Sequence, residues 1–212
     1  MTRIKICGVT EPANAAEVVA TGIDYLGLNF WPRSKRYLAP DRAPAVADAA
    51  RAAGKALLVG VFVDATVDEI AAVLATLELD LLQLHGDEAP DALVALSARF
   101  RVPLWKVVSG TDPGDLARWP AEAILLDTPS PARGGTGQTF DWNLAHATRT
   151  RDPERAIVLA GGLDPENVGD AITIVRPFAV DVASGVERAP GLKDLQRVAA
   201  FVAAVRAADQ SR

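Results

Sequence analysis

The stretch ALLVGVFV, residues 56–63, is followed at once by ATVDEIAAVLATL, residues 65–77, and this pair decides the fold. The first segment is a short continuous apolar run, and the second is a helical stretch. Strands that are apolar on both faces are typical of a buried parallel sheet, because helices cover the sheet. The pair therefore predicts one buried strand followed by one helix.

The same pairing recurs on both sides of this stretch, and eight units in a row fit a closed (β/α)8 barrel. A doubly wound open sheet is the structural alternative, but no G-x-G-x-x-G follows the first strand. No linker or low-complexity segment interrupts the series, so we expect one α/β domain over residues 1–212, a single-domain (β/α)8 TIM barrel. The predicted strands are 3–7, 25–30, 56–63, 81–86, 103–108, 123–128, 156–162 and 178–185; the helical stretches are 11–22, 41–54, 65–77, 89–100, 112–119 (weakly helical), 141–148, 164–175 and 192–208.

Composition limits the classes of function. The 212 residues are 50% hydrophobic, and the net charge is −5 with scattered basic residues, so no nucleic-acid partner is expected. The apolar run 56–63 is far short of the ~20 residues of a membrane span, and the N-terminus does not resemble a signal peptide. The single cysteine excludes an internal disulfide and fits a reducing, cytoplasmic location. We expect a small cytoplasmic protein that acts on a small molecule.

Polar residues gather where the predicted strands end. In a (β/α)8 barrel the active site lies at the C-terminal ends of the strands and in the loops that follow them. Several polar side chains are thus expected to point toward one mouth of the barrel. They are Cys7, Asn29, Asp64, Gln83, His85, Lys106, Asp127, Asp181 and Ser184.

A thiol and a carboxyl are the reactive pair among these residues. Asp127 follows the apolar run AILL, and a carboxyl in an apolar site has a raised pKa and stays protonated as an acid. A free cysteine has a pKa of about 8.5, so Cys7 needs a favourable field to act as a base; otherwise it is a small buried hydrophobe. Helix N-terminal amides and Lys5, on the same strand face, are the candidates for lowering that pKa. Asp64 and Asp181 are alternatives to Asp127.

Glycine-rich turns lie in the second half of the chain, at GGTGQTF (134–140), LAGGL (159–163) and ASGVE (183–187). Glycine lets backbone amides approach an anion, and many barrels bind phosphate at the loops after strands 7 and 8. The two turns after the last two strands therefore predict a phosphate site. The alternative is that they are only tight turns between strand and helix.

Three cations lie in WPRSKRY, residues 31–37, at the expected mouth of the barrel. Such a loop is commonly a solvated face, but an arginine there also offers a planar fork for a carboxylate or phosphate. Gln83 and His85 alternate along the fourth strand, so both can face the lumen. The second histidine, His146, is in a helical stretch, and no metal-ligand spacing is present.

Taken together, these motifs resemble the phosphoribosylanthranilate isomerase family of tryptophan biosynthesis over essentially the whole chain. The resemblance implies a (β/α)8 barrel that carries out an Amadori rearrangement of N-(5-phospho-β-D-ribosyl)anthranilate without metal or cofactor. Relatives occur as monomers, homodimers and fusions, so a monomer or homodimer is expected. The matching stretches, in order, are KICGVT (5–10), GLNFWPRSKRY (27–37), VGVFVD (59–64), QLHGDE (83–88), LLDT (125–128), GGTGQTFDW (134–142), LAGGL (159–163), VDVASGVE (180–187) and PGLKD (190–194).

The resemblance also implies roles for individual residues. The general base falls on Cys7, the general acid on Asp127, and the arginine for the anthranilate carboxylate on Arg36. Gln138 stands where many relatives carry lysine. The phosphate contacts fall on Gly161, Gly162, Ser184 and Gly185, and Gln83 and His85 are expected to line the pocket.

Two other functions compete with this interpretation. A histidine-pathway or dual-substrate aminoaldose isomerase would carry aspartate at the end of strand one, where this chain has Cys7. Those enzymes are also longer and show half-barrel repetition. A non-catalytic barrel that binds a phosphorylated ligand would keep the glycine turns but would not need the Cys7 and Asp127 pair.

Overall fold

The computed structural model describes residues 1–128 and 139–211, and its centre is a closed barrel of eight parallel strands. Each strand pairs with the next in chain order, and β8 closes the barrel by pairing with β1. The predicted (β/α)8 barrel is confirmed. The strands are β1 Arg3–Cys7, β2 Tyr25–Asn29, β3 Leu57–Phe62, β4 Leu81–Leu84, β5 Leu104–Ser109, β6 Ala123–Asp127, β7 Ala156–Leu159 and β8 Ala179–Val182.

Alternate residues of each strand face opposite sides, which divides the core into two layers. Leu26 and Leu28 of β2 belong to the outer layer, which also contains the buried faces of the helices. Tyr25 belongs to the apolar floor of the barrel, where its ring meets Trp105 edge-on at 4.9 Å between centroids. Because both faces are covered, the strands are apolar runs rather than alternating ones.

Seven α-helices surround the barrel within the described residues, one fewer than the sequence predicts. The stretch 112–119 forms only a 3₁₀ turn at Leu116–Arg118, so the expected fifth helix is wrong. Pro113, Gly114 and Pro120 crowd this stretch and leave no room for a regular helix. The helices are α1 Pro12–Val19, α2 Ala43–Ala53, α3 Val67–Leu74, α4 Pro90–Phe100, α5 Trp142–Arg151, α6 Val168–Val175 and α7 Leu195–Gln210.

Strands β4, β7 and β8 end two or three residues earlier than predicted, so the residues that follow them belong to loops at the mouth of the barrel. β4 ends at Leu84, β7 at Leu159 and β8 at Val182. After β8 the chain makes a second 3₁₀ turn, Ser184–Val186, and then a small antiparallel hairpin of β9 Glu187–Ala189 and β10 Leu192–Lys193. The sequence did not indicate this hairpin, which is hydrogen-bonded to the loop after β1 at the mouth of the barrel.

Candidate active site

A cavity of about 620 Å³ opens at the C-terminal ends of the strands. It brings together most of the predicted site residues, although they come from six strands and their loops. Gly185 is not among the lining residues; it packs against the backbone of Leu163, with no space for a side chain. The predicted residues that do line the cavity are Cys7, Arg36, Gln83, His85, Asp127, Gly161, Gly162 and Ser184.

Cys7 ends β1 and is almost fully buried. Gly27 of β2 leaves the space for its sulfur, since a Cβ at Gly27 would lie 2.7 Å from Sγ. Gly8 follows in the left-handed region (φ 79°) and turns the chain out of the strand. The thiol therefore sits at the base of the mouth rather than within the outer core.

The pKa of the Cys7 thiol lies above its ordinary value. Burial raises the pKa most, the positive charges of Lys5 and Lys193 lower it, and the carboxylate of Asp181 raises it again. The charges of the two lysines thus act in the expected direction, and burial determines the sign of the net shift. Lys5 does act on the thiol, as expected, but its effect is too small to outweigh burial.

Lys5 and Asp181, which both affect the pKa of Cys7, form a buried ion pair with each other. Lys5 Nζ donates to both carboxylate oxygens of Asp181 at 3.0 Å, between residues that pair directly across β1 and β8. Burial lowers the pKa of Lys5, but the Asp181 charge and its hydrogen bonds more than compensate and raise it overall. The negative charge of Asp181 therefore opposes, in part, the effect of Lys5 on the pKa of Cys7.

Asp127 ends β6 and reaches the same cavity from another side. Its Oδ1 accepts a hydrogen bond from the backbone N–H of Thr128 at 2.8 Å. Its Oδ2 lies 3.4 Å from Nε2 of His85, a weak contact that leaves this oxygen available at the cavity surface. The two reactive groups of the predicted pair thus line one cavity from β1 and β6.

Arg36 is held in place by a carboxylate that sequence reasoning did not single out. Its Nε and Nη2 donate to the two carboxylate oxygens of Glu187 at 2.8 and 2.7 Å. Glu187 also accepts from Lys193 Nζ at 2.7 Å and from the N–H of Gly191 at 3.1 Å. The aliphatic part of the Arg36 side chain crosses above Gly8, where any side chain would collide with it. One fork of Arg36 is therefore fixed, and Nη1 remains for another anion.

Glu187 is the ionised centre of this cluster. Burial raises its pKa, but the hydrogen bonds and charges of Arg36 and Lys193 outweigh burial and hold the pKa below the ordinary value. Two cations around one carboxylate leave one net positive charge at this edge of the cavity. Such an edge suits an anionic group of a ligand.

The turn after β7 provides close backbone approach at the opposite edge. Gly161 and Gly162 both have positive φ values, 85° and 64°, which favour glycine. A side chain at Gly161 would collide with Thr128, so the turn packs directly against the end of β6. Asn167 fixes the turn by donating from Nδ2 to the Gly162 carbonyl at 2.9 Å. The stretch 134–140, apart from its last two residues, and Gln138 with it, lies outside the described residues.

A family model and named relatives match nearly the whole chain. The family model described as N-(5'phosphoribosyl)anthranilate (PRA) isomerase matches residues 4–204. The chain belongs to the phosphoribosylanthranilate isomerase family. A relative from Ralstonia nicotianae named N-(5'-phosphoribosyl)anthranilate isomerase is 44% identical, with 98% of this chain and 94% of the relative covered.

Solved structures of the phosphoribosylanthranilate isomerase family share the barrel. One is the crystal structure of monomers of the dimeric enzyme from Thermotoga maritima, with TM-score 0.82 and 38% identity over 98% of this chain and all of that one. Another family member was solved in complex with reduced 1-(o-carboxyphenylamino)-1-deoxyribulose 5-phosphate. It has TM-score 0.80 and 37% identity, with the same coverage.

Two polar residues expected at the mouth do not line the cavity. Lys106 is on the outer face of β5, where Nζ donates to the Gly86 carbonyl at 2.7 Å and to Glu88 at 2.8 Å. Asp64 accepts from the N–H of Asp87. Both therefore brace the loop after β4 instead of facing the cavity. Asp181 does line the cavity but is engaged by Lys5, which leaves Asp127 as the better candidate for the acid.

Two further observations bear on the class of site. Within the described residues, no group of three or more His, Cys, Asp or Glu side chains is arranged to hold a metal ion. None of the helices in the described part of the chain combines the length and apolar character required to cross a bilayer.

Proposed function

We propose that this member of the family converts N-(5'-phosphoribosyl)anthranilate into 1-(2-carboxyphenylamino)-1-deoxyribulose 5-phosphate, a step of tryptophan biosynthesis. The observation that carries the proposal is that a thiol and a carboxyl, Cys7 and Asp127, line one cavity with an anion-binding edge on either side. The substrate has a phosphate at one end and a carboxylate at the other. An Amadori rearrangement of such a molecule needs one acid, one base and two anchors.

Asp127 is the proposed acid of the first step. A protonated Asp127 gives its proton to the ribose ring oxygen while the C1–O bond breaks, and the anthranilate nitrogen forms a double bond to C1. The product is an open-chain protonated Schiff base and an Asp127 carboxylate. His85, 3.4 Å from Oδ2, supports the orientation of the carboxyl.

Cys7 is the proposed base of the second step. As thiolate it removes the proton from C2, and the electron pair of the broken C–H bond moves toward the iminium nitrogen to give an enolamine. Proton transfer from the C2 hydroxyl and to C1 then gives the aminoketose. The raised pKa of the thiol has to be overcome, and the cationic Schiff base, together with Lys5 and Lys193, favours the thiolate.

The two anchors are proposed to hold the reacting carbons between acid and base. Arg36 would bind the anthranilate carboxylate through the fork that Glu187 leaves free. The phosphate would lie against the turns at Gly161, Gly162, Ser184 and Gly185, where backbone amides can donate. Orientation between fixed ends is itself a large part of catalysis for a reaction within one molecule.

Every step of this sequence moves protons within one substrate, so we propose that no cofactor or metal takes part. We also propose that the enzyme works in the cytoplasm, where a thiol base stays reduced. Its partner is the small phosphorylated substrate, and the chain acts as a monomer or a homodimer. Nucleic acid and membrane are not proposed partners.

A turnover assay tests the proposed function. Purified protein is given N-(5'-phosphoribosyl)anthranilate, and loss of its anthranilate fluorescence is followed, with Cys7→Ser as the control. We expect turnover by the unchanged protein and very little by the variant. The histidine-pathway aminoaldose is offered in parallel; turnover of that substrate alone, or of neither, contradicts the proposal.

A further inference from the structure

Gln83 is a buried polar residue in the middle of the barrel. It lies on β4 between Val61 of β3 and Trp105 of β5, and only 1% of it is exposed. Leu81, two residues earlier on the same face, belongs to the apolar floor. His85, two residues later, is at the mouth. Gln83 therefore forms the boundary between the floor and the reactive part of the cavity, which it lines.

The amide oxygen of Gln83 is buried and has no hydrogen-bond donor within reach among the described residues. A buried acceptor without a partner destabilises the folded state, so folded proteins rarely keep one without a use. The nearby buried cations are already engaged, since Lys5 donates to Asp181 and Lys193 to Glu187. The oxygen thus has no partner among the described residues, and the residue that carries it lines the cavity, from which a donor can come.

The topology relates this oxygen to the reacting carbons. In the closed eight-stranded barrel, β4 lies opposite β8, while Cys7 comes from β1 and Asp127 from β6. Gln83 lines the same cavity as Cys7 and Asp127, next to the apolar floor, so a substrate held between these two groups shares the cavity with Gln83. Between its phosphate and carboxylate ends, the proposed substrate carries hydroxyl groups. An amide oxygen accepts a hydrogen bond from a hydroxyl but offers nothing to either anionic end.

We propose that Gln83 accepts a hydrogen bond from a hydroxyl of the ribose-derived carbon chain and is a specificity-determining residue of this site. This inference rests on the proposed function. It explains why a glutamine occupies a position that the apolar floor would otherwise fill. It also predicts that Gln83 matters for binding the sugar and not for the fold.

Replacement of Gln83 by methionine tests the proposal, because the side chain keeps its length and loses its polar atoms. Two probes are compared by calorimetry: reduced 1-(o-carboxyphenylamino)-1-deoxyribulose 5-phosphate, which has the carbon chain with its hydroxyls, and inorganic phosphate, which lacks that chain. We expect Gln83→Met to weaken binding of the first by about ten- to a hundredfold and to leave the second unchanged. The melting temperature stays the same or rises, because an unpaired buried group has been removed.

Gln196→Met is the matched control, since Gln196 is exposed on α7 and does not line the cavity. It is expected to change neither Kd. Gln83→Leu repeats the test with a branched side chain in case methionine repacks the cavity. Unchanged binding of the sugar phosphate in both Gln83 variants overturns the proposal, and so does an equal loss for both probes accompanied by a lower melting temperature. If the unchanged protein binds phosphate but not the sugar phosphate, the proposed function fails first, and the hydroxyl contact with it.

Discussion

The two sides of the cavity differ in whether their charged and polar groups are paired with one another. On the base side, formed by β1, β8 and the β9–β10 hairpin, Cys7 is surrounded by ions that are all paired with one another. On the acid side, formed by β4 and β6, Oδ2 of Asp127 has only a weak contact to His85, and the amide oxygen of Gln83 has no partner among the described residues. The paired charges on the base side change the pKa of the Cys7 thiol. The polar groups on the acid side that lack strong partners are free to contact the substrate.

This difference assigns separate tasks to the two sides. A buried thiol is a poor base, so the base side must hold cations near the thiol in fixed positions. Asp181 and Glu187 do this by holding Lys5 and Lys193. The acid side needs no such balance, because a carboxyl that donates its proton must remain accessible.

Removing the acid gives the largest expected effect on the acid side. Asp127→Asn keeps the shape and the bond from Thr128 but has no proton to give, so kcat falls by about 10²–10⁴-fold with little change in melting temperature. Steady-state kinetics measure this loss. The control is Asp64→Asn, outside the cavity, which keeps the left-handed backbone that asparagine tolerates (φ 49°) and near-normal activity. A rise in KM alone would make Asp127 a binding residue.

Breaking the Lys5–Asp181 pair tests the charge balance of the base side. Lys5→Met leaves the Asp181 carboxylate buried and unpaired, and we expect a loss of about 3–5 kcal/mol in the free energy of unfolding. Chemical denaturation measures it. The double variant Lys5→Met/Asp181→Leu is expected to recover most of this stability, because no unpaired charge remains. Equal stability of the single and double variants would contradict a tightly coupled pair.

Removing the carboxylate anchor has a smaller effect, on binding rather than on chemistry. Arg36→Met deletes a charged hydrogen-bond donor, so KM rises by about 10- to 100-fold while kcat changes less. Arg42→Met, which removes only an exposed ion pair with Glu11, is the matched control and leaves KM unaltered. An unchanged KM in Arg36→Met would mean that the substrate carboxylate binds elsewhere.

The smallest expected effect is a pH dependence of stability at Glu187. Its pKa is lower in the folded protein than in the unfolded chain, so its contribution is present above the ordinary value of about 4.3 and is lost as pH falls through the folded pKa. Melting temperatures of the unchanged protein and of Glu187→Gln, measured between pH 6 and pH 3, should converge toward the acid end. Parallel curves would show that Glu187 is not ionised in the folded state.

Much of the fold could be predicted because it depends on periodic patterns. Eight apolar runs with helical stretches between them identify the barrel, and glycines mark the turns after β7 and β8. The fifth helix was overpredicted because Pro113 and Gly114 interrupt a weak pattern. The hairpin after β8 was missed, since its strands are only three and two residues long.

The sequence predicts which residues belong to the site but not which of their side chains form ion pairs. Strand ends place Cys7 and Asp127 at one mouth, yet nothing in the sequence tells which cation meets which carboxylate across the barrel. Glu187 is in one of the motifs of the family, but it is hydrogen-bonded to Arg36, a residue 151 positions away in the chain. Lys106 was assigned to the mouth because strand ends alone do not fix which face a residue occupies. The sign of the Cys7 pKa shift is determined by burial in the closed barrel, with a smaller contribution from Asp181, a neighbour that only the closed barrel supplies.

The identity of the base is tested by moving its pKa. In the unchanged protein, kcat/KM should rise with pH through neutrality, because the Cys7 thiol in the free enzyme has a pKa above its ordinary value of about 8.5. Cys7→Asp puts a carboxyl in the same place, with an ordinary pKa of about 3.9. We predict that this variant keeps measurable turnover and that the rise of kcat/KM moves toward acid pH, while Cys7→Ser has almost no activity at any pH. A pH profile that stays where it was in Cys7→Asp, or near-normal turnover by Cys7→Ser, would show that another group removes the C2 proton.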